Sequence, residues 1–411
     1  MEHPETFLSE RALARRASQG VAVDSTDLPV CRAYIERWSR REEIHLIQQW
    51  NNTVLMQVPD EAIALRFLDN SFVRSIKKVW VSPDSIMPRN KDRKEQVKNQ
   101  WKKQDDYYGM GAEQIKIHHG DSLHLAGFKG KGIQIAVIDA GFYNVDAMKI
   151  FKNTTILGTH DFVNPSSDIY GEHNHGMKVL SCMAVNTPHV MVGTAPEASY
   201  WLLRSEDNDT EQPVEEDNWA AAVEFADSVG VDIVNTSLGY YSFDDPIDNY
   251  TYRQLDGHTS LMAASASYAA KKGLLVVCSA GNSGMDEWKK ITPPADAEDI
   301  GFLLEIEPAS EGTPSGEYDL LADLTAASGT NFDIWNELED PYGNRHFGSP
   351  VLDASENGQV KYELGGKYSL FTANLVPGTM QRVTLPLNLR SGETENCSTA
   401  VIITGRRMHR R

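Results

Sequence analysis

GIQIAVIDA, residues 132–140, is a near-continuous apolar run of strand length that closes on an aspartate. A strand apolar on both faces is buried on both faces, as in parallel sheets covered by helices. Downstream of it, HGMKVLSCMA (175–184) fits the start of a helix, and EDNWAAAVEFADSVG (216–230) is an amphipathic helix ending at Gly230. VDIVNTSLGY (231–240) is the next strand, SLMAASASYAAKKG (260–273) a further helix, and LLVVCSAGN (274–282) a further strand. This alternation over residues 106–299 predicts an α/β fold, a parallel sheet with helices on both faces. In open sheets of this kind, sites form at the carboxyl ends of the strands.

The flanks differ from this centre. Residues 1–81 open with a helical stretch, ETFLSERALARRA (5–17). EIHLIQQW (43–50), TVLMQV (53–58) and VRSIKKVWV (73–81) then read as strands around the helix DEAIALRFLDN (60–70), a small α+β module. Residues 82–105 lose the apolar period and become dense in Lys and Arg, as in an exposed linker open to proteolysis or a charged surface loop. Residues 300–411 predict a β-rich segment from runs such as EYDLLADL (317–324), QVKYELGGKYSLFTANL (359–375), QRVTLPLNL (381–389) and TAVIITG (399–405).

Composition narrows the function classes. The 411 residues suffice for two or three domains, and 41% hydrophobic with 24% charged residues is ordinary for a globular protein. A formal charge of -19 argues against nucleic acid and anionic membrane as partners, since both reward a basic surface. No stretch approaches the roughly 20 apolar residues of a membrane span, and MEHPETFLSERALARR (1–16) has no apolar core of a signal peptide. The four cysteines, Cys31, Cys182, Cys278 and Cys397, form no CxxC pair, so neither a zinc framework nor a disulfide scaffold is indicated.

Three polar residues fall where strand-end chemistry is expected: Asp139 after its strand, His175 at a helix start, and Asn282 after another strand. Singly, each also suits a turn, a cap or a solvated surface. Together they supply an orienting carboxylate, a general base and an amide donor for a developing oxyanion. Metal binding fits less well, because His173 and His175 lie two apart, unlike the HExxH turn, and no third ligand is evident.

AVIDAGF (136–142), HGMKVLS (175–181), VNTSLGY (234–240) and SAGNSG (279–284) resemble, in order and rough spacing, the Asp, His, substrate-strand and Asn blocks of subtilisin-like serine proteases. The resemblance implies a subtilisin-like sheet and peptide-bond hydrolysis in which Asp139 orients the base, His175 is the base and Asn282 donates to the oxyanion. It also implies that the backbone of Ser237, Leu238 and Gly239 pairs with an extended polypeptide substrate or ligand. The module around GVAVDSTDLP (20–29) resembles the family's bacterial propeptide region, which implies an inhibitory contact with the catalytic domain within the chain and release at the basic linker. Secretion or a cell-envelope location follows from the resemblance. No cofactor is indicated by the residues; calcium is implied by the family only, and PSSDIYGEHN (165–174) is too loose for a ligand loop.

One block is missing. The family places Gly-Thr-Ser downstream of the Asn block, yet Gly-Thr at 312–313, 329–330 and 378–379 is followed by Pro314, Asn331 and Met380. Ser283 adjoins the Asn block too early, Ser315 leads into a strand-like run, and Ser349 has no helix after it. Ser310, Ser328, Ser355, Ser369, Ser391 and Ser398 have no suitable context either. A non-catalytic peptide-binding protein on the same scaffold is therefore the alternative. ITPPADAED (291–299) still resembles the family, and from Ile300 the resemblance stops. A parallel sheet lacking its later strands exposes an edge and part of an apolar face.

Overall fold

The structure is a computed structural model that describes residues 3–38, 43–81, 101–284 and 287–297, and beyond them the backbone of strands between 302 and 407. Two compact units result, Met1–Ala297 and Glu298–Arg411.

In the first unit, Ser9 caps helix α1 (Glu10–Gln19) by accepting from the Ala12 N–H at 3.2 Å, and Gly20 ends it in the left-handed region. Helix α2 (Arg32–Trp38) leads to an antiparallel hairpin of β1 (Glu43–Gln48) and β2 (Thr53–Gln57), then the short α3 (Glu61–Leu65). The strand expected over 73–81 joins neither β1 nor β2. Its backbone is committed elsewhere: Val79 C=O accepts from Val214 N–H at 2.9 Å, and Val81 N–H donates to Gln212 Oε1 at 2.7 Å. The linker expected over 82–105 lies outside the described residues up to Gln100.

After α4 (Ala112–Ile117) and α5 (Gly120–Leu125) come β3 (Gln134–Asp139), β4 (Thr155–Asp161), α6 (His175–Ala184) and a small antiparallel pair, β5 (Asn186–Thr187) with β6 (Met191–Val192). They are followed by β7 (Ser199–Arg204), α7 (Val214–Val229), β8 (Ile233–Thr236), α8 (Leu261–Lys271) and β9 (Leu275–Cys278). The five-stranded sheet runs β4-β7-β3-β8-β9, all parallel. Alternation along β3 divides the core. Ile135 and Val137 cluster with Tyr200 and Leu202 of β7 and with Leu180 and Ala184 of α6. Ala136 and Ile138, both at 0% exposure, point to the other face. There the buried Trp219 of α7 donates from Nε1 to Thr236 Oγ1 at 3.0 Å. The parallel sheet with helices is the architecture expected from residues 132–282.

Strand β9 lies at the end of the sheet, with Leu275 54% and Val277 40% exposed. Among the described residues no further strand pairs with β9.

The N-terminal residues are fastened to α7 and α8 through buried charge. Arg15 and Arg16 both pair with Asp227, Arg16 Nη1 also meets Asp27 Oδ2 at 2.8 Å, and Lys272 reaches Asp27 at 3.1 Å. The Glu224 carboxylate accepts from Gln49 N–H at 2.8 Å and Trp50 N–H at 2.9 Å, closing the β1–β2 turn onto α7.

The second unit holds β10 (Phe302–Ile306), β11 (Gly316–Thr325), β12 (Thr330–Glu339), β13 (Arg345–His346), β14 (Gln359–Leu364), β15 (Tyr368–Ala373), β16 (Met380–Leu389) and β17 (Thr399–Arg407). A sheet ordered β10-β17-β12-β15-β14, with β13 on β12, lies beside a separate β11-β16 pair in the topology, all antiparallel. The β-rich reading of these runs agrees with that arrangement.

Candidate active site

Asp139 is the last residue of β3 and has no exposed surface. His175 is the first residue of α6, its side chain 43% exposed. Their spacing is 2.8 Å from His175 Nδ1 to Asp139 Oδ1, which also accepts from Ala140 N–H at 2.8 Å. The glycine after His175 allows this approach. A Cβ on Gly176 would stand 2.6 Å from Gly141 C=O oxygen and 2.8 Å from Asp139 Cβ. Gly141 is constrained in turn, since a Cβ there would stand 2.5 Å from His173 N. The AGF tripeptide and the HG dipeptide are thus the two sides of one close crossing.

The electrostatics follow from that contact. The Asp139 bond raises the His175 imidazole above its ordinary value, outweighing its partial burial. Burial pushes the Asp139 carboxyl up, opposed by the His175 bond and charge. His173 is lowered, by burial first and the neighbouring His175 second. A ring held through Nδ1 leaves Nε2 to accept a proton.

The sheet order places the remaining expected residues at the same carboxyl end. Ser237, Leu238 and Gly239 follow β8, the neighbour of β3, and Asn282 follows β9, the neighbour of β8. Leu238 is buried, Asn282 is exposed, and Gly239 abuts Thr292 and Pro293, where Tyr240 N–H donates to Pro293 C=O at 3.1 Å. Met177 packs against the β3–α6 core. Among the described residues no serine hydroxyl bonds the His175 ring. Of the serines weighed as nucleophile, Ser283 donates to the Tyr241 hydroxyl at 3.4 Å, Ser369 lies in β15, and the rest lie outside the described residues. Among the described residues no three His, Cys, Asp or Glu side chains form a group able to hold a metal ion.

Residues 130–312 match the family model described as the subtilase family, and residues 1–100 match the Peptidase S8 propeptide domain of Bacteroidota. Residues 130–312 thus form a subtilase-family domain, preceded by a propeptide domain of the same family. Among curated relatives, the minor extracellular protease Vpr of Bacillus subtilis (strain 168) is 33% identical over 198 residues, covering 45% of this chain and 22% of that protein. The major intracellular serine protease of the same organism is 29% identical over 222 residues, covering 51% and 63%. The chain thus spans less than two thirds of the length of these relatives. Among solved structures, MycP1 from Mycobacterium smegmatis aligns with a TM-score of 0.33 at 20% identity, covering 49% of this chain and 56% of that one.

Sequence reading missed the acidic residues around this end of the sheet. Glu206 follows β7, and its carboxyl is pushed up to about 7 by burial first and by Asp139 next. Glu211 is pushed up to about 7 and Glu215 to about 10, again by burial first and then by neighbouring carboxyls. In sequence they read as an ordinary charged loop and helix start, because burial of a glutamate in the first turn of a helix leaves no periodic signal.

Proposed function

We propose that this chain carries the acid–base half of a subtilisin-type peptide-bond hydrolase. Asp139 orients the ring and stabilises its cation, His175 takes and returns the proton, and Asn282 donates to the oxyanion. An extended polypeptide pairs with the backbone of Ser237, Leu238 and Gly239. The observation that carries this reading is the 2.8 Å contact from His175 Nδ1 to Asp139 Oδ1 at the carboxyl end of β3. With it go a propeptide-like module over residues 1–81, a basic linker over 82–105, a catalytic domain over 106–299 and a β-rich module over 300–411. An exported location is proposed by family, although one relative's name is extracellular and another's intracellular.

A second reading, peptide binding without cleavage, is favoured by the absence of a Gly-Thr-Ser block. In subtilisin, loss of the nucleophile alone lowers turnover by about 2 × 10⁶, and the remaining machinery gives only about 10³–10⁴ over water. Labelling with a serine-directed fluorophosphonate, with His175→Ala as control, separates the two. Label that disappears in His175→Ala supports the hydrolase, and peptide mapping names its nucleophile. A folded, monodisperse chain that takes no label refutes it in favour of binding.

A further inference from the structure

Arg204, the last residue of β7, is 2% exposed, and β7 lies between β4 and β3. Its register partners are Asp139 on β3 and Asp161 on β4, so a cation is set into the carboxyl end of the sheet beside the Asp139–His175 pair. A guanidinium offers five N–H donors in a rigid planar fork. Here Nε donates to Ala140 C=O at 3.1 Å and Nη1 to Asp161 Oδ2 at 3.1 Å. Nη2 donates to Asp207 Oδ1 at 3.3 Å and pairs with Glu172 Oε2 at 3.6 Å. The buried Asp161 is itself fixed, accepting from Val163 N–H at 2.9 Å and Asn164 N–H at 2.8 Å. One such carboxylate is enough to neutralise a buried cation. The further contacts of Arg204 therefore serve something besides charge.

Two of those contacts reach opposite sides of the Asp139–His175 pair. On the aspartate side, Ala140 N–H donates to Asp139 Oδ1 at 2.8 Å, and the C=O of the same residue accepts from Arg204. On the histidine side, Glu172 lies three residues before His175 in the segment that crosses Gly141, where an added Cβ would stand 2.8 Å from Glu172 Cβ. Tyr143 N–H donates to His173 C=O at 3.2 Å across the same crossing. One buried side chain thus grips both segments whose separation sets the 2.8 Å from His175 Nδ1 to Asp139 Oδ1. A misplacement of about 1 Å is enough to cost a catalytic group roughly 10²-fold. We propose that Arg204 is a positioning residue of the candidate site, holding Asp139 through Ala140 and His175 through Glu172 so that the neutral ring keeps its Nδ1–H tautomer. The proposal rests on the reading of His175 as a base for its purpose, and needs only the Asp139–His175 contact for its test.

The His175 ring itself provides the test. Its ratio of Nδ1–H to Nε2–H tautomer is read by nitrogen NMR of the isotope-labelled full chain, above the pH at which the ring titrates, with His175→Ala for assignment. Arg204→Lys keeps a charge for Asp161 and loses the fork. Glu172→Gln removes the partner on the histidine side. Asp207→Asn, the control, removes the same charge from the same nitrogen, three residues along the chain from Arg204 itself. The Nδ1–H tautomer should dominate in the parent chain. Its ratio to Nε2–H should fall at least about threefold in Arg204→Lys and in Glu172→Gln, and by less in Asp207→Asn. A smaller fall in either of the first two, a fall of that size in Asp207→Asn, or a parent chain dominated by Nε2–H overturns the proposal. Urea unfolding checks that each variant is folded, and if Arg204→Lys is not, Glu172→Gln against Asp207→Asn decides alone. Coupling to Arg204 in a chain that takes no fluorophosphonate keeps the positioning role and removes the hydrolase reading, so the two failures are distinguishable.

Discussion

Asp227→Ala is predicted to loosen the N-terminal module far more than Asp232→Ala, although each removes one carboxylate that faces arginine. Asp227 is 3% exposed and pairs with Arg15 and Arg16, which are 5% and 1% exposed. Without it Arg16 keeps Asp27 at 2.8 Å, whereas Arg15 keeps only the carbonyls of Val231 and Lys272. A buried guanidinium stripped of its counter-charge costs about 3–5 kcal/mol. Asp232 pairs with Arg11, and with these side chains 26% and 38% exposed the pair contributes only about 0.2–1 kcal/mol. The assay is urea unfolding followed by tryptophan emission. Trp50 is 5% exposed and stacks on Tyr268 of α8 with centroids 6.3 Å apart, so undocking of the β1–β2 hairpin changes its environment. Asp227→Ala should lower stability by at least about 2 kcal/mol more than Asp232→Ala. A triple change, Arg15→Met, Arg16→Met and Asp227→Leu, should recover most of the loss, because no buried charge is then orphaned and Asp27 still has Lys272 at 3.1 Å. Equal effects of the two aspartate changes, within about 0.5 kcal/mol, would refute the reasoning that burial, not pairing as such, sets the grip.

Three further outcomes follow from the same geometry. Gly176→Ala should separate His175 from Asp139, since the new methyl would meet Gly141 oxygen at 2.6 Å; the imidazole, followed by proton NMR, should then titrate at lower pH than in the parent chain. Burial holds Glu206, Glu211, Asp217 and Glu224 up to about 7, and Asp139 raises His175. The folded chain therefore retains protons that the unfolded chain has lost, and stability should fall as pH rises from about 4.5 through 7, read as a lower unfolding temperature at pH 7.5 than at pH 5.5. An unchanged or higher value at pH 7.5 would contradict that sign. Leu275→Lys with Val277→Lys, on the exposed side of edge strand β9, should reduce self-association measured by light scattering, with the mass of the parent chain already that of a monomer as the contrary result.

Sequence pattern exposed β3, β8 and β9 because each is an apolar run, and α7 and α8 because each closes on a glycine; β7 and the mostly exposed β4, TILGTHD, gave no such reading. Gly230 and Gly273 stand at positive φ beyond α7 and α8, as their positions after the amphipathic runs suggest. The Asp139–His175 pair was legible for the same reason, as both sit at element ends. VRSIKKVWV misled because alternation marks extended backbone, not a sheet partner; its partners are Gln212 and Val214, more than a hundred residues away. Burial of charge was invisible. Arg15, Arg16 and Asp227 have the composition of a solvated helix face, and only the docking of α1 against α7 removes water from them. Glu206, Glu211 and Glu215 escaped notice on the same grounds.

The contacts that fix the Asp139–His175 pair all lie upstream of the place where the family pattern ends. Ala140 N–H donates to Asp139, Gly176 packs on Gly141, Ser205 N–H donates to Asp139 C=O at 3.1 Å, and Arg204 Nε donates to Ala140 C=O at 3.1 Å. None of these partners has a residue number above 205. The geometry of the base is thus specified by β3, α6 and β7, with no contribution from a nucleophile or its helix. A well-formed pair is evidence of ancestry and of a proton acceptor, and it bears no relation to whether a serine faces it. For the same reason a substitution at Asp139 or Gly176 perturbs the ring whether or not the chain is active. Titration of His175 measures the scaffold, fluorophosphonate labelling measures the chemistry, and only the second discriminates a hydrolase from a peptide-binding relative.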